Sequence, residues 1–217
     1  DGSVERRIAY EPKEVKRIID EFLNEYRRTE DMFYQETADY LYMLTSAIFR
    51  PGIELLKVKR FQLSYINDTN NPNDPVMKVN LLETKKGEHT RTLADWFTRD
   101  VYPRIIRRYP NKTAENYLFF PNHDNRHRLY ERIRKNFQRI SENLNLYEKG
   151  GKKRPLYVIR HSLITKMNKK GVDANVVAIH ADTGVEMIKN HYQDMTDDNL
   201  LVIHNQLHPR RNRNNEK

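Results

Sequence analysis

The sequence predicts a mainly α-helical domain with one small antiparallel β-sheet, an α+β arrangement. Apolar residues recur at helical spacing in several long segments, most clearly between Arg126 and Leu144. Only the region from residue 61 to 93 shows the alternation that is typical of strands. The chain has 217 residues and no internal repeat, so it can bury one substantial core without a second domain.

Two helices are predicted at the start of the chain. The first follows Pro12, a favoured first-turn residue, and its apolar stripe consists of Val15, Ile18, Ile19, Phe22 and Tyr26. The second runs from Asp31 to Phe49, with Tyr34, Ala38, Leu41, Thr45 and Ile48 on one face. Pro51 disfavours the α conformation at the residue before it, which predicts that Arg50 lies at the helix terminus.

A small sheet is predicted next. Phe61, Leu63 and Tyr65 alternate, a turn-rich loop covers residues 67–75, and a second strand carries Met77, Val79 and Leu81. The chain then turns through Thr84–Glu88 and returns through Thr90–Leu93 as a hairpin. Its tip presents Lys85 and Lys86.

Two basic helices and a basic loop follow the sheet. Residues 94–109 are predicted to form a helix bent by Pro103, with Arg99, Arg104, Arg107 and Arg108 adding charge. In the helix from Arg126 to Leu144, the buried stripe is Leu129, Ile133, Phe137, Ile140 and Leu144. Its other faces carry Arg126, Arg128, Arg132, Arg134, Lys135 and Arg139. Residues 148–154 form a basic loop that contains glycine.

Three short helices are predicted after residue 155. Arg160 opens the first, which Gly171 ends, and Asp173 caps the second, which carries Val176, Val177 and Ile179. The third begins at Thr183 with a capping-box pattern and leads to Tyr192 at helical spacing. Thr183 therefore has two compatible interpretations, a helix cap and a phosphate contact.

Composition restricts the possible functions. A formal charge of +9 and a pI near 9.6 favour an anionic partner, with nucleic acid as the first candidate. The lack of cysteine excludes disulfides, Cys-ligated zinc and a thiol nucleophile, and it agrees with an intracellular protein. The sequence has no P-loop, GxGxxG, HExxH or GxSxG motif and no apolar run of membrane length. His123 and His127 have a metal-ligand spacing, but Asn-rich surroundings favour a solvated pair.

Arginine, lysine and tyrosine side chains could together act on a phosphodiester. Two arginines can neutralise the charge of a pentavalent phosphorane, a tyrosine can be the covalent nucleophile, and a lysine can protonate the leaving oxygen. The residues in question are Arg50, Lys85, Arg160 and Tyr192. Singly, each has a structural explanation: Tyr192 as a core residue, Arg50 as a helix-end charge and Lys85 as an ordinary hairpin charge.

The arrangement of these residues resembles the C-terminal catalytic domain of the tyrosine recombinase, or phage integrase, family over nearly the whole chain. Arg50 stands in Phe-Arg-Pro-Gly-Ile-Glu and Lys85 in Thr-Lys-Lys-Gly. The segments Tyr157-Val-Ile-Arg-His, Gly171-Val-Asp and Val185–Tyr192 follow at the family's spacing without a gap. The resemblance implies that Arg50 and Arg160 bind the scissile phosphate, that Lys85 is the hairpin lysine and that Tyr192 is the nucleophile.

Two positions depart from the commonest family pattern, and both concern proton transfer. Tyr157 replaces the first histidine, and Thr183 stands where His or Trp is usual, although His180 lies three residues earlier. A family branch with similar motifs makes a variant site the favoured interpretation. The acidic residue after the first arginine, Glu54, comes one position later than usual. His161 and His191 are more often packing or surface residues.

The resemblance also implies domains, partners and mechanism. We expect a catalytic domain over residues 1–203 with a polar leader at 1–9, a disordered basic tail at 204–217, and an N-terminal core-binding domain outside this chain. The expected partner is double-stranded DNA in the cytoplasm, and no membrane, cofactor or metal is expected. The expected assembly on DNA is a homo-tetramer whose neighbours exchange residues 200–203, or a monomer in an isolated fragment. The alternatives are a non-catalytic DNA-binding domain with the same fold and, within the enzyme class, a Xer-type resolvase instead of an integrase.

Overall fold

Helices form most of the protein in the computed structural model, which describes residues 8–66, 76–84 and 87–184. The helices are α1 (Pro12–Thr29), α2 (Met32–Ser46), α3 (Ile53–Leu56), α4 (Tyr102–Arg108), α5 (Arg126–Asn143), α6 (Val158–Lys169) and α7 (Ala174–Ala181). The strands are β1 (Leu63–Ile66), β2 (Val76–Thr84), β3 (Gly87–Thr92), β4 (Glu148–Lys149) and β5 (Lys152–Lys153). The predicted fold class, mainly α with a small antiparallel sheet, is confirmed. The chain divides into two compact units, residues 1–162 and 163–217.

The first unit begins with two helices that pack against each other. Pro12 occupies the first turn of α1, and Glu11 and Glu14 form a reciprocal capping box there. Val15, Ile18, Ile19 and Phe22 are buried, as their spacing predicts. Helix α2 begins at the side chain of Asp31, which accepts a hydrogen bond from the backbone N–H of Phe33.

Helix α2 ends earlier than the sequence predicts. It stops at Ser46, where Ala47 takes an extended conformation with φ −152° and ψ 171°. Arg50 therefore lies in a turn beyond the helix and not at its terminus. The rule that a proline restricts the preceding residue gives only the latest possible helix end, and here the chain leaves the helix before that limit.

The small sheet has the order β1-β2-β3 and is antiparallel throughout. Leu63 pairs with Val79 and Tyr65 with Met77 between β1 and β2, and Thr84 pairs with Gly87 between β2 and β3. The predicted strand residues Met77, Val79 and Leu81 are buried. Phe61 instead belongs to a 3-10 turn and is 47% exposed, so the first strand is shorter than its alternation suggests. The loop at 67–75 and the hairpin tip lie outside the described residues.

The predicted irregularity near Pro103 takes the form of a π-helical segment. Residues Phe97–Val101 are π-helical and lead into α4, in which Pro103 is a first-turn residue. A proline in that position breaks no helical hydrogen bond, so the helix is not bent at Pro103 as predicted. The irregularity is instead the wider, π-helical turn that precedes it.

The core of the first unit surrounds α5. Leu129, Ile133, Phe137 and Ile140 are buried as predicted, and they join side chains of α1, α2 and the sheet in one cluster. The basic loop at 148–154 contains a two-stranded hairpin, β4–β5, whose turn uses Gly150 and Gly151 at φ 57° and 72°.

The described part of the second unit contains the end of α6 and the whole of α7. Gly171 ends α6 at φ 77°, and the Asp173 side chain caps α7 by accepting bonds from the N–H groups of Asn175 and Val176. Both were predicted. Ile179, expected to belong to the apolar part of α7, is instead 70% exposed. The predicted third helix starts at the edge of the described residues and is outside them from residue 185 onward.

Among the residues that the structure describes, no helix has the length and apolar character needed to cross a membrane.

Candidate active site

The candidate site is organised around the turn that follows α2, residues 48–52, which we name the arginine turn because it contains Arg50. Arg50 is partly buried, and the residues on either side, Phe49 and Pro51, are buried. Such a turn cannot satisfy all its backbone polar groups by itself, and unsatisfied buried groups are costly. Side chains of three helices provide partners for it.

Each of these partners binds a different backbone group of the arginine turn. The Arg160 guanidinium, on α6, donates from Nη1 to the carbonyl of Ile48 at 3.1 Å. The Tyr130 hydroxyl, on α5, donates to the carbonyl of Pro51 at 3.2 Å. The Tyr40 hydroxyl, on α2, accepts a bond from the Gly52 N–H at 3.0 Å. The structure thus brings the two predicted phosphate-binding arginines together, since one binds the turn that carries the other.

The surroundings of Arg160 are built by the N-terminal segment and α6 itself. Arg160 is 4% exposed, and the nearby Ser162 hydroxyl donates to the Val158 carbonyl while accepting a bond from the Tyr10 N–H, both at 2.7 Å. Tyr10 also donates to the Arg154 carbonyl at 2.5 Å, and burial raises the pKa of its phenol to about 12. Arg154 in turn binds Glu14 at the start of α1 at 2.9 Å. The start of α6 is therefore fixed by long-range hydrogen bonds.

Tyr157, which replaces the usual histidine, precedes α6 directly and is 42% exposed. Burial is the main reason that the pKa of the Tyr130 phenol is raised, and the nearby Tyr157 contributes to the same increase. Tyr157 thus lies near a side chain that binds the arginine turn.

Glu54 and the hairpin strand lie beside each other. Glu54 lines a surface groove together with Lys57, Lys59, Phe61, Gln62, Leu81 and Leu82. The acidic residue that follows Arg50 is therefore next to strand β2, which leads toward Lys85. Lys85 itself is outside the described residues, between the paired strand ends Thr84 and Gly87.

The other predicted site residues belong to the second unit. His180 is in the last turn of α7, and Asp182 ends that helix in the left-handed region at φ 49°. Thr183 is partly buried, and its backbone N–H donates to the Ala178 carbonyl at 3.0 Å. The capping box that Thr183 was predicted to form involves Glu186, which lies outside the described residues, as do His191 and Tyr192.

Several arginines predicted to present positive charge to a ligand instead form internal contacts. Arg104 and Arg108 both bind the carboxylate of Asp39, which is fully buried. Arg126, expected on an outer face of α5, is 4% exposed and donates to the carbonyls of Phe119 and Phe120. These three side chains stabilise the fold, because a buried carboxylate or carbonyl needs such partners.

The remaining basic surface is smaller than the sequence suggests. Arg107 on α4, Arg128 and Lys135 on α5, and Lys153 on β5 are exposed. Arg132 and Arg139 pair with Asp31 at 2.6 Å and Glu25 at 3.7 Å. The Arg132–Asp31 pair is exposed on both sides and therefore weak, whereas Glu25 is buried.

The chain is similar in structure to solved recombinases and an integrase over most of its length. XerA recombinase aligns at a TM-score of 0.57 and 18% identity, over 95% of this chain and 67% of XerA. The Tn1549 transposon integrase in complex with transposon right end DNA aligns at 0.56 and 16% identity, over 95% of this chain and 68% of the integrase. XerH site-specific recombinase bound to difH substrate aligns at 0.62 and 13% identity, over 89% of this chain and 52% of XerH. The chain has the tyrosine recombinase catalytic-domain fold.

This recombinase fold is the one that the motif spacing predicts, and the resemblance is confirmed at the level of structure. No protein-family model and no curated protein sequence matches the chain. The likeness to these solved structures is therefore one of fold, at 13–18% sequence identity.

Two residues that bind the arginine turn, Tyr40 and Tyr130, were not predicted from the sequence. Both lie on helices, where the apolar periodicity already accounts for a tyrosine as a packing residue. A signal was nonetheless present: the Pro51-Gly52 step requires partners for its backbone groups, and the chain is rich in tyrosines that can supply them. The choice among thirteen tyrosines depends on tertiary packing.

Proposed function

We propose that this protein is a site-specific recombinase that cleaves and rejoins DNA through a 3′-phosphotyrosyl intermediate at Tyr192. The observation that carries the proposal is the hydrogen bond from Arg160 to the carbonyl of Ile48, within a fold shared with site-specific recombinases. It places two motif arginines at one turn. The Tn1549 integrase is in complex with transposon right end DNA and XerH is bound to difH substrate, and we propose double-stranded DNA as the partner here.

The proposed cleavage step is a transesterification. The Tyr192 Oη attacks the scissile phosphorus and forms the phosphotyrosyl bond, while the bond from phosphorus to the 5′ oxygen breaks. The electron pair of that bond stays on the 5′ oxygen, which takes a proton from Lys85 as general acid. Rejoining reverses these steps with a 5′-hydroxyl of another strand, so the bond energy is kept and no nucleotide triphosphate is consumed.

Arg50 and Arg160 stabilise the charge of the transition state in this proposal. Their guanidinium groups remain charged and can each hold two phosphate oxygens, and the bond to the Ile48 carbonyl orients Arg160 before substrate binds. Preorganised donors of this kind contribute about 3–4 kcal/mol each to a transition state. The chain offers these groups for electrostatic stabilisation, and we expect no cofactor to be required.

Three residues could carry the tyrosine proton or contact the phosphate: Tyr157, His180 and Thr183. The usual pKa of tyrosine, near ~10, means that a base or the field of the arginines must assist deprotonation. Tyr157 lies near the arginine turn through Tyr130. We propose Tyr157 as a proton carrier, and His180 and Thr183 as alternatives for the role of the usual His or Trp.

The proposal extends to the biological reaction and the assembly. We propose integration of mobile or viral DNA in the cytoplasm, with a Xer-type resolvase as the rival within the same class. Residues 1–203 would form the catalytic domain and 204–217 a basic tail, and residues 200–203 are the proposed exchanged segment of a tetramer. A DNA-binding domain that lacks catalysis is the rival from another class.

Covalent capture on suicide DNA tests the catalytic proposal. The full natural chain is incubated with a nicked duplex whose cleavage releases a short fragment, and products are separated on a denaturing gel. We expect a protein-linked DNA band from the wild type and from Tyr65→Phe, a matched control on exposed strand β1, but none from Tyr192→Phe. DNA retention without any covalent band in the wild type would favour the non-catalytic rival.

A further inference from the structure

The arginine turn is held by two tyrosine hydroxyls that the proposed mechanism does not use. Tyr40 is fully buried on α2, and its hydroxyl accepts a bond from the Gly52 N–H at 3.0 Å and lies 3.5 Å from the Gly52 carbonyl. Tyr130 is half-buried on α5 and donates to the Pro51 carbonyl at 3.2 Å. Both bonds fall on the two residues that directly follow Arg50.

We propose that Tyr40 and Tyr130 are positioning residues that fix the direction of the Arg50 side chain. This inference rests on the proposed role of Arg50 in binding the scissile phosphate. Together with the Arg160 bond to Ile48, the two hydroxyls bind backbone groups before and after Arg50. A turn whose backbone is fixed on both sides sets the direction in which the Cα–Cβ bond of its central residue points.

The packing of the two tyrosines shows that they form rigid supports. The Tyr40 ring packs edge-on against Phe119, with ring centroids 5.9 Å apart, within the main core. The Tyr130 ring is packed against the same core from α5. The two hydroxyls thus anchor the arginine turn, which has no regular structure of its own, to two long helices.

Both phenols keep their protons under the conditions of the reaction. Burial raises the pKa of Tyr40 well above its usual value, and burial is also the main cause of the raised pKa of Tyr130. Tyr130 therefore remains a donor to Pro51. The same effect makes these two residues unsuitable as bases.

The size of the expected effect follows from geometry. A displacement of a catalytic group by about 1 Å can cost on the order of 10²-fold in rate. We expect Tyr40→Phe to lower the single-turnover cleavage rate by roughly 10- to 100-fold, and Tyr130→Phe to lower it by less, because Tyr130 is only half-buried whereas Tyr40 is fully buried. DNA affinity should change by less than about threefold, because most affinity comes from phosphate contacts elsewhere.

A double-mutant cycle tests the inference. Single-turnover cleavage rates and DNA dissociation constants are measured for Arg50→Ala, Tyr40→Phe and the double variant, with Tyr130→Phe alongside. If Tyr40 acts through Arg50, the double variant should cleave no more than about twofold slower than Arg50→Ala. Tyr42→Phe is the matched control on the same helix, where the ring packs on Trp96 at 5.8 Å, and it should behave like wild type.

Three results would overturn the inference: additive losses in the double variant, wild-type cleavage rates in both tyrosine variants, or a loss of DNA affinity and thermal stability with the rate unchanged. Failure of the underlying proposal looks different. In that case the wild type forms no covalent product, or Arg50→Ala cleaves as fast as the wild type.

Discussion

Replacing Glu36 by Gln is expected to stabilise the protein at alkaline pH and to leave its stability unchanged at acidic pH. Glu36 is 4% exposed on α2, and its Oε1 atom has no hydrogen-bond partner among the residues that the structure describes. Burial raises the pKa of this carboxyl to about 7, although a hydrogen bond from Tyr109 and the charge of Arg108 oppose the increase. The buried carboxylate is therefore unfavourable when it is charged.

The sign and size of the effect follow from proton linkage. The folded state binds the Glu36 proton more tightly than the unfolded chain, where the pKa is 4.5, so stability falls as pH rises between about 4.5 and 7. A difference of this size corresponds to about 3 kcal/mol, which is lost completely only above the folded-state pKa. Gln resembles the protonated acid and has no such loss.

Urea unfolding at pH 5, 6, 7 and 8 measures the effect. The free energy of unfolding of Glu36→Gln minus that of the wild type should be about 1 kcal/mol at pH 5 and grow to about 3 kcal/mol at pH 8. Glu131→Gln, an exposed carboxylate on α5, should show no such trend. A difference that does not increase with pH would refute the buried-charge argument.

Three further substitutions test the fold. Asp39→Asn should lower the free energy of unfolding by about 3–5 kcal/mol, measured by urea unfolding, because it leaves two arginines without their buried carboxylate. Burial alone would raise the pKa of Glu14, but hydrogen bonds from Arg154 lower that pKa below its usual value. The ionised Glu14 therefore stabilises the folded state, and this contribution is lost as pH falls through the folded-state pKa. Glu14→Gln should therefore be less stable at neutral pH with a weaker acid dependence, seen in melts from pH 3 to 7, and equal acid dependence would contradict this. Asn125→Ala should cost about 1 kcal/mol by removing the cap of α5, while Asn125→Asp should keep it, as judged by thermal melts.

The local sequence pattern was sufficient to predict much of the fold. The stripes of α1 and α5, the antiparallel hairpin β2–β3 and the glycine that ends α6 all depend on neighbouring residues, and the structure has them as predicted. Segment ends were less predictable. The end of α2 at Ser46 depends on tertiary bonds to the turn that follows, which no local rule contains.

The roles of the charged side chains were the hardest feature to predict from the sequence. Arg104, Arg108 and Arg126 are indistinguishable from surface arginines in a helical pattern. Arg104 and Arg108 bind a carboxylate that lies 65 and 69 residues away in the sequence. Arg126 binds backbone carbonyls. Tyr40 illustrates the same limit, since only the folded chain shows which phenol reaches Gly52.

The candidate site itself was predicted by motif spacing and not by periodicity. The spacing of Arg50 and Arg160 predicts that they act together, and in the structure Arg160 binds the carbonyl of Ile48, two residues before Arg50. The roles of all the predicted site residues remain predictions that chemistry has to test: Arg50, Lys85, Tyr157, Arg160, His180, Thr183 and Tyr192.

The most direct test of the central claim is to identify the amino acid that is joined to DNA. The covalent complex trapped on suicide DNA is digested with trypsin and nuclease, and the nucleotide-bearing peptide is sequenced by mass spectrometry. Cleavage after Lys189 and Arg210 yields a peptide whose single tyrosine is Tyr192. We predict a 3′-phosphonucleotide on that tyrosine. Attachment at another residue, or the absence of any nucleotide-bearing peptide, would contradict the proposed function.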